Sequence, residues 1–160
     1  MTSAEYLNAA RWYETSLQTF PDAKEVPHQM LLLGDLFTQA GEVQRAVATY
    51  RKLVDEHPDA PESRDGMYAL IQGLRALYDQ GKNGEHELSL RMLVDAQIGF
   101  AMDHRQDPRT ANVKAAAAND LFMLQDYSQA MTLSSNLLES RPSADAGLKV
   151  TAFTILGQPV

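Results

Sequence analysis

Apolar side chains recur along this chain at helical spacing, and the stripes they form predict roughly eight helices joined by short connections. Tyr6, Ala9, Ala10, Tyr13, Leu17 and Phe20 share one face of a helix over residues 4–20. Helices over 27–40 and 43–57 follow, the first opened by Pro27, whose missing N–H costs nothing in the first turn of a helix. A longer helix carries Met67, Ile71, Leu74 and Tyr78 and breaks at the Gly81-Lys82-Asn83-Gly84 run. Leu88, Met92, Ala96 and Phe100 mark the next, from about 85 to 106. Residues 112–124 and 127–140 form a further pair, and 143–156 a last helix with no mate. No strand-like alternation of useful length is present.

The stripes repeat. Four prolines, Pro21, Pro58, Pro108 and Pro142, each follow an alanine by twelve residues (Ala9, Ala46, Ala96 and Ala130). One helical turn after each alanine stand Tyr13, Tyr50, Phe100 and Ser134. The interval from Pro108 to Pro142 is 34 residues, that from Pro21 to Pro58 is three longer, and that from Pro58 to Pro108 is sixteen longer, which longer helices would account for. In the best copy, Pro27 to Ala60, Gly34 and Ala46 are small where two helices must approach closely. Met30, Leu33, Phe37, Tyr50 and Leu53 fill the space around that contact, Gly41-Glu42 makes the turn, and Pro58 ends the second helix.

With Met30, Leu33-Gly34, Phe37, Ala46, Tyr50 and Pro58 in these places, the chain resembles the tetratricopeptide-repeat family, over nearly its whole length although only this copy fits tightly. In the copy ending at Pro142, Ala118 stands for the glycine, Leu121 for the tyrosine and Ser134 for the aromatic. The resemblance implies an all-α fold, a tetratricopeptide-like α-solenoid of about eight antiparallel helices in a right-handed superhelix. It also implies one domain over residues 1–160, with units near 4–21, 27–60, 61–108, 111–142 and 143–157. The first helices of such repeats line a concave groove. Carried over by position, the groove candidates are His28, Leu31, Asp35 and Thr38, then Asn112, Ala115, Asn119 and Phe122. Family members that grip a terminal carboxylate place lysine and asparagine where this chain has Leu31 and Asp35, so that ligand is disfavoured: aspartate repels a carboxylate and leucine offers no donor. A mixed groove of this kind suits a peptide or helix of a partner protein.

Composition narrows the field further. A chain of 160 residues with 44% apolar content can bury a sizeable core. A formal charge of −7 leaves too little positive potential to neutralise a run of phosphates, which disfavours nucleic acid and anionic lipid as partners. Cysteine is absent, so disulfides, thiolate nucleophiles and cysteine-ligated zinc are all excluded, while both cytoplasm and periplasm remain open as compartments. No apolar run approaches the length of a membrane span, and the first ten residues do not form a secretory signal.

Searching for chemistry returns little. Phosphate-binding glycine loops and the nucleophile elbow are missing, and His86-Glu87-Leu88-Ser89-Leu90 lacks the second histidine of a zinc-protease motif. Asp103, His104 and Asp107 read as a solvated helix end, and Asp55, Glu56, Asp59 and Glu62 as a wet connecting loop. No enzyme activity, cofactor or metal is expected. The expected role is a protein-protein interaction scaffold or adaptor within a larger assembly. The alternative is an oligomerisation segment joined through its ends, because the chain opens on a second-type helix and closes on a first-type one. Trp12, Leu148, Ala152 and Ile155 are the candidates for such end contacts, unless neighbouring repeats of a longer array cover them. Trp12, beside its helix's apolar stripe, reads either as flank packing or as an exposed anchor.

Overall fold

The computed structural model describes residues 1–81, 86–139 and 146–157. Among these residues eight α-helices are present: α1 (Ser3–Thr19), α2 (Val26–Gln39), α3 (Val43–Glu56), α4 (Pro61–Gln80), α5 (His86–Asp103), α6 (Thr110–Met123), α7 (Tyr127–Glu139) and α8 (Ala146–Leu156). All regular structure among the described residues is helical, in keeping with a tetratricopeptide-like α-solenoid. Two compact units divide the chain at Gly81, so residues 61–108 are shared between them. At 20 and 18 residues, α4 and α5 exceed the 14 residues of α2 and α3, as the wide interval between Pro58 and Pro108 anticipated. Lys82, Asn83, Gly84 and Pro142 lie outside the described residues.

Local chemistry sets the helix ends. Thr2 caps α1 through a reciprocal box, its hydroxyl accepting from Glu5 N while Glu5 Oε2 accepts from Thr2 N at 2.6 Å. Pro27 and Pro61 sit in the first turns of α2 and α4, where a missing N–H is harmless. Gly41, at φ 82°, turns α2 into α3 in the left-handed region that glycine enters without penalty.

The first unit is built on α2, which meets α1, α3 and α4, and α3 also meets α4. Val26, Met30 and Leu53 form a buried cluster with Leu17, Ala23 and Leu31 around it. In the second unit α6 meets α5, α7 and α8 in the same pattern. Its core gathers Val94, Ala118, Leu121, Ala130 and Ile155, with a second cluster of Ala115, Leu137 and Ala152.

The two units repeat one backbone at an interval of 84 residues, the distance from Ala40 to Leu124. In the first turn, the N–H groups of Ala40, Gly41 and Glu42 donate to the carbonyls of Leu36, Thr38 and Phe37; in the second, those of Leu124, Gln125 and Asp126 donate to Asp120, Phe122 and Leu121. Gln125 (φ 62°) adopts the left-handed conformation of Gly41 without being glycine. The turns into α2 and α6 match as well, with Val26 N on Ala23 O and Thr110 N on Asp107 O. This register revises one sequence reading. The counterparts of Ala9, Tyr13 and Pro21 are Leu93, Gln97 and Arg105, not Ala96, Phe100 and Pro108. The turn decides it, since the bonds from Phe20 N to Ser16 O and from Ala23 N to Phe20 O recur as those from His104 N to Phe100 O and from Asp107 N to His104 O, and Pro108 lies in the turn beyond α5 rather than ending it.

Candidate protein-binding surface

The close approach of α2 and α3 is made by one glycine and one tyrosine. A Cβ built on Gly34 would overlap Tyr50 Cε1 and lie 2.7 Å from Cδ1 and 2.8 Å from Cζ, so only glycine lets the ring cross α2 here. The ring is buried, and its hydroxyl emerges on the far side to donate to Asp35 Oδ1 at 2.7 Å. Thr38 Oγ1 stands 3.2 Å from the same hydroxyl and 3.0 Å from the Gly34 carbonyl. Tyr50 therefore fixes two of the four α2 groove candidates in place from behind.

Burial pushes the Tyr50 phenol above its ordinary value, the neighbouring Asp35 carboxylate adds to the rise, and the Thr38 hydroxyl opposes it. A phenol whose folded value is raised contributes stability that is complete below the unfolded value near 10 and is lost as pH climbs towards the folded one. Stability is thus expected to fall as pH rises above about 10. Tyr50→Phe should cost about 1–2 kcal/mol at neutral pH and flatten that alkaline slope, which denaturant titrations at several pH values would reveal. An equal slope in the variant would assign the alkaline loss to other groups.

Along α2, His28, Asp35 and Thr38 are exposed on one face. His28 Nδ1 lies 4.0 Å from Glu62 Oε1 on α4, a neighbour that helical periodicity could not supply because it depends on how α2 and α4 cross. Leu31 is half-buried and packs against the Val26, Met30 and Leu53 cluster, so it serves the core as well as the surface. On α6, Asn112 and Asn119 are exposed, and Asn119 Nδ2 is 4.0 Å from Met123 Sδ. Ala115 is buried with Leu137 and Ala152. Phe122 is half-buried, packs on the second unit's core and meets Tyr127 edge-on at 5.1 Å between centroids.

The end candidates divide. Trp12 is 80% exposed beside a shallow recess lined by Ala9, Tyr13, Ser16 and Gln29. Ala152 and Ile155 are buried within their own unit, and the side chain of Leu148 lies outside the described residues. Sequence reasoning missed a buried pair in the second unit, where Gln97 Nε2 donates to Asp120 Oδ2 at 3.0 Å. Their counterparts in the first unit are Tyr13 and Leu36, so nothing in the repeat pattern marked the place as polar.

Among the described residues no three His, Asp or Glu side chains come together as a metal-binding cluster, and no helix is long and apolar enough to cross a membrane. Asp107 instead holds the guanidinium of Arg109 at 2.9 and 2.8 Å, and His104 stacks at a tilt on Phe100. That cluster fastens the turn between α5 and α6.

No curated protein matches the chain. Residues 30–60 match the family model for the tetratricopeptide repeat, a span that covers most of α2 and all of α3 with the Gly34–Tyr50 crossing at its centre. Such repeats are typically non-catalytic. The chain therefore carries a tetratricopeptide repeat, as its sequence pattern indicated, and with it the general character of a protein-protein interaction module.

Proposed function

We propose that the chain is a scaffold or adaptor that holds a segment of a partner protein against the exposed face of α2, where it meets α4; the corresponding face of α6, within the second unit, is a separate candidate of the same kind. What carries this reading is the Tyr50 hydroxyl, which holds Asp35 and Thr38 in fixed positions on an otherwise open surface. A surface ordered before binding loses less conformational entropy on capture than a mobile one. His28, Asn112 and Asn119 add donors and acceptors on the same helices, and a mixed polar face of this kind selects by hydrogen-bond pattern rather than by charge alone.

The test uses positions that leave the core alone. His28→Ala combined with Asn119→Ala is expected to weaken retention of a captured partner by about tenfold, equivalent to about 1.4 kcal/mol, without moving the thermal midpoint. Leu31→Glu is a poorer probe, because it would also place a charge against the Met30 and Leu53 cluster. A partner retained equally by the double variant and by the native chain would remove the groove from the account.

A further inference from the structure

On the side of α2 turned away from the groove candidates, a cleft of about 390 Å3 opens between α1 and α3. Val26, Met30 and Leu33 are one stripe of α2 and make its floor, with Leu17 from α1 and Ala48 from α3 as walls. Successive helical residues turn by about 100°, so this stripe and the His28 and Asp35 face lie on opposite sides of the same helix. The volume falls at the lower end of ordinary ligand pockets, and the floor is wholly aliphatic or thioether.

At the end marked by Glu14, an ion pair spans the cleft like a strut, with Glu14 Oε1 on α1 2.8 Å from Arg45 Nη2 on α3. The Arg45 guanidinium is held in turn over the Phe37 ring, 4.0 Å from its centroid. Thr49, also on the lining, spends its hydroxyl on the Arg45 carbonyl at 2.8 Å. The second unit shows the other solution for the same backbone. Ile98 and Leu133, 84 residues on from Glu14 and Thr49, pack directly against the Val94, Leu121 and Ile155 core. An aliphatic pair thus packs on the core of the second unit at the places where a polar pair stands in the first.

The opposite end is acidic. Pro21, Lys52, Glu56 and His57 line it, and the acidic excess comes from the chain beside them, where Asp22, Glu25, Asp55 and Asp59 are exposed. The cations there, Lys24 and Lys52, already stand against Glu25 at 3.8 Å and Glu56 at 4.0 Å. An apolar floor with a negative mouth complements an apolar group that brings a positive charge beside it.

We propose that this cleft is a second docking site, which receives one bulky aliphatic side chain of a partner segment with basic residues next to it. The proposal shares with the groove reading only the premise that the occupant is protein. Its test is a methyl NMR titration of the full chain with acetyl-Gly-Leu-Lys-Lys-Gly-amide. Saturable shifts are expected at the methyls of Leu17, Val26, Met30 and Leu33, with about tenfold weaker responses when the peptide leucine becomes alanine or its lysines become glutamates. Transplanting the second unit's residues, Glu14→Ile with Thr49→Leu, should fill the cleft and abolish the shifts while the thermal midpoint holds or rises. His28→Ala should leave the titration unchanged, so failure of the groove reading and failure of this one are separate results. Silent methyls in the native chain, equal responses to the three peptides, or a filled variant that still responds would each overturn the proposal.

Discussion

Replacing Phe100 by alanine is expected to destabilise the second unit by about 3–5 kcal/mol, the largest effect of any single truncation considered for this chain. The ring is fully buried, so its removal forfeits the transfer energy of a whole aromatic side chain and leaves a cavity that rigid helices cannot collapse to fill. It is also the surface on which the α5–α6 turn rests. His104 lies on the ring at 5.1 Å between centroids, and Arg109 stands over it with Cζ 5.6 Å from the centroid. Arg109 is clamped by Asp107, whose Oδ1 also accepts from Arg109 N at 2.8 Å, and Thr110 Oγ1 donates to the His104 carbonyl at 2.6 Å. Loss of the ring therefore loosens a polar turn as well as a core. Denaturant unfolding should show a lower midpoint at unchanged slope, and Phe100→Leu, which keeps part of the volume, should cost roughly half as much. A loss below about 1 kcal/mol for the alanine variant would mean that the unit repacks around the site.

The helices themselves were legible, because each depends on a stripe of apolar residues and on caps that are local in sequence. Thr2 with Glu5, Pro27, Gly41 and Pro61 act within a few residues of where they stand. Register between repeats was harder. The alanine-to-proline interval matched Ala96 and Pro108 to Ala9 and Pro21, but the hydrogen bonds of the turns into α2 and α6 place the equivalence three residues earlier. A proline in a loop can drift along the sequence at little cost, whereas a core position cannot.

At the surface, the positional carry-over found exposed residues at His28, Asp35, Thr38, Asn112 and Asn119. It could not find the Tyr50 hydroxyl behind Asp35, the Glu62 carboxylate facing His28, or the Glu14–Arg45 strut, 31 residues apart in sequence. These depend on which helices cross and at what height, and no periodicity within one helix encodes that. The polar lining of the α1–α3 cleft was invisible for the same reason. Nothing in the spacing of Glu14 and Thr49 marks them, and only the second unit, with Ile98 and Leu133 in their places, shows what else can stand there.

Gly34→Ala is expected to cost about 1–3 kcal/mol although alanine is the better helix former by about 0.8–1 kcal/mol, so the steric term must outweigh propensity. The added methyl would overlap the Tyr50 ring, which cannot swing aside without surrendering Asp35 and Thr38. The second unit already contains the compensated form. At the place of Gly34 it has Ala118, at the place of Tyr50 it has Ser134, and both are buried, with Ser134 Oγ donating to the Ala130 carbonyl at 2.8 Å. Read one position at a time these are two departures from the repeat pattern; read together they are one exchange, a methyl on α6 for an aromatic ring on α7. In a Tyr50→Ser background, Gly34→Ala should therefore change sign and stabilise by up to about 1 kcal/mol, a coupling that a double-mutant cycle in denaturant would measure directly. If alanine costs the same in both backgrounds, the ring is not what excludes it, and the fixed placement of Asp35 and Thr38 on the exposed face of α2 would need another cause.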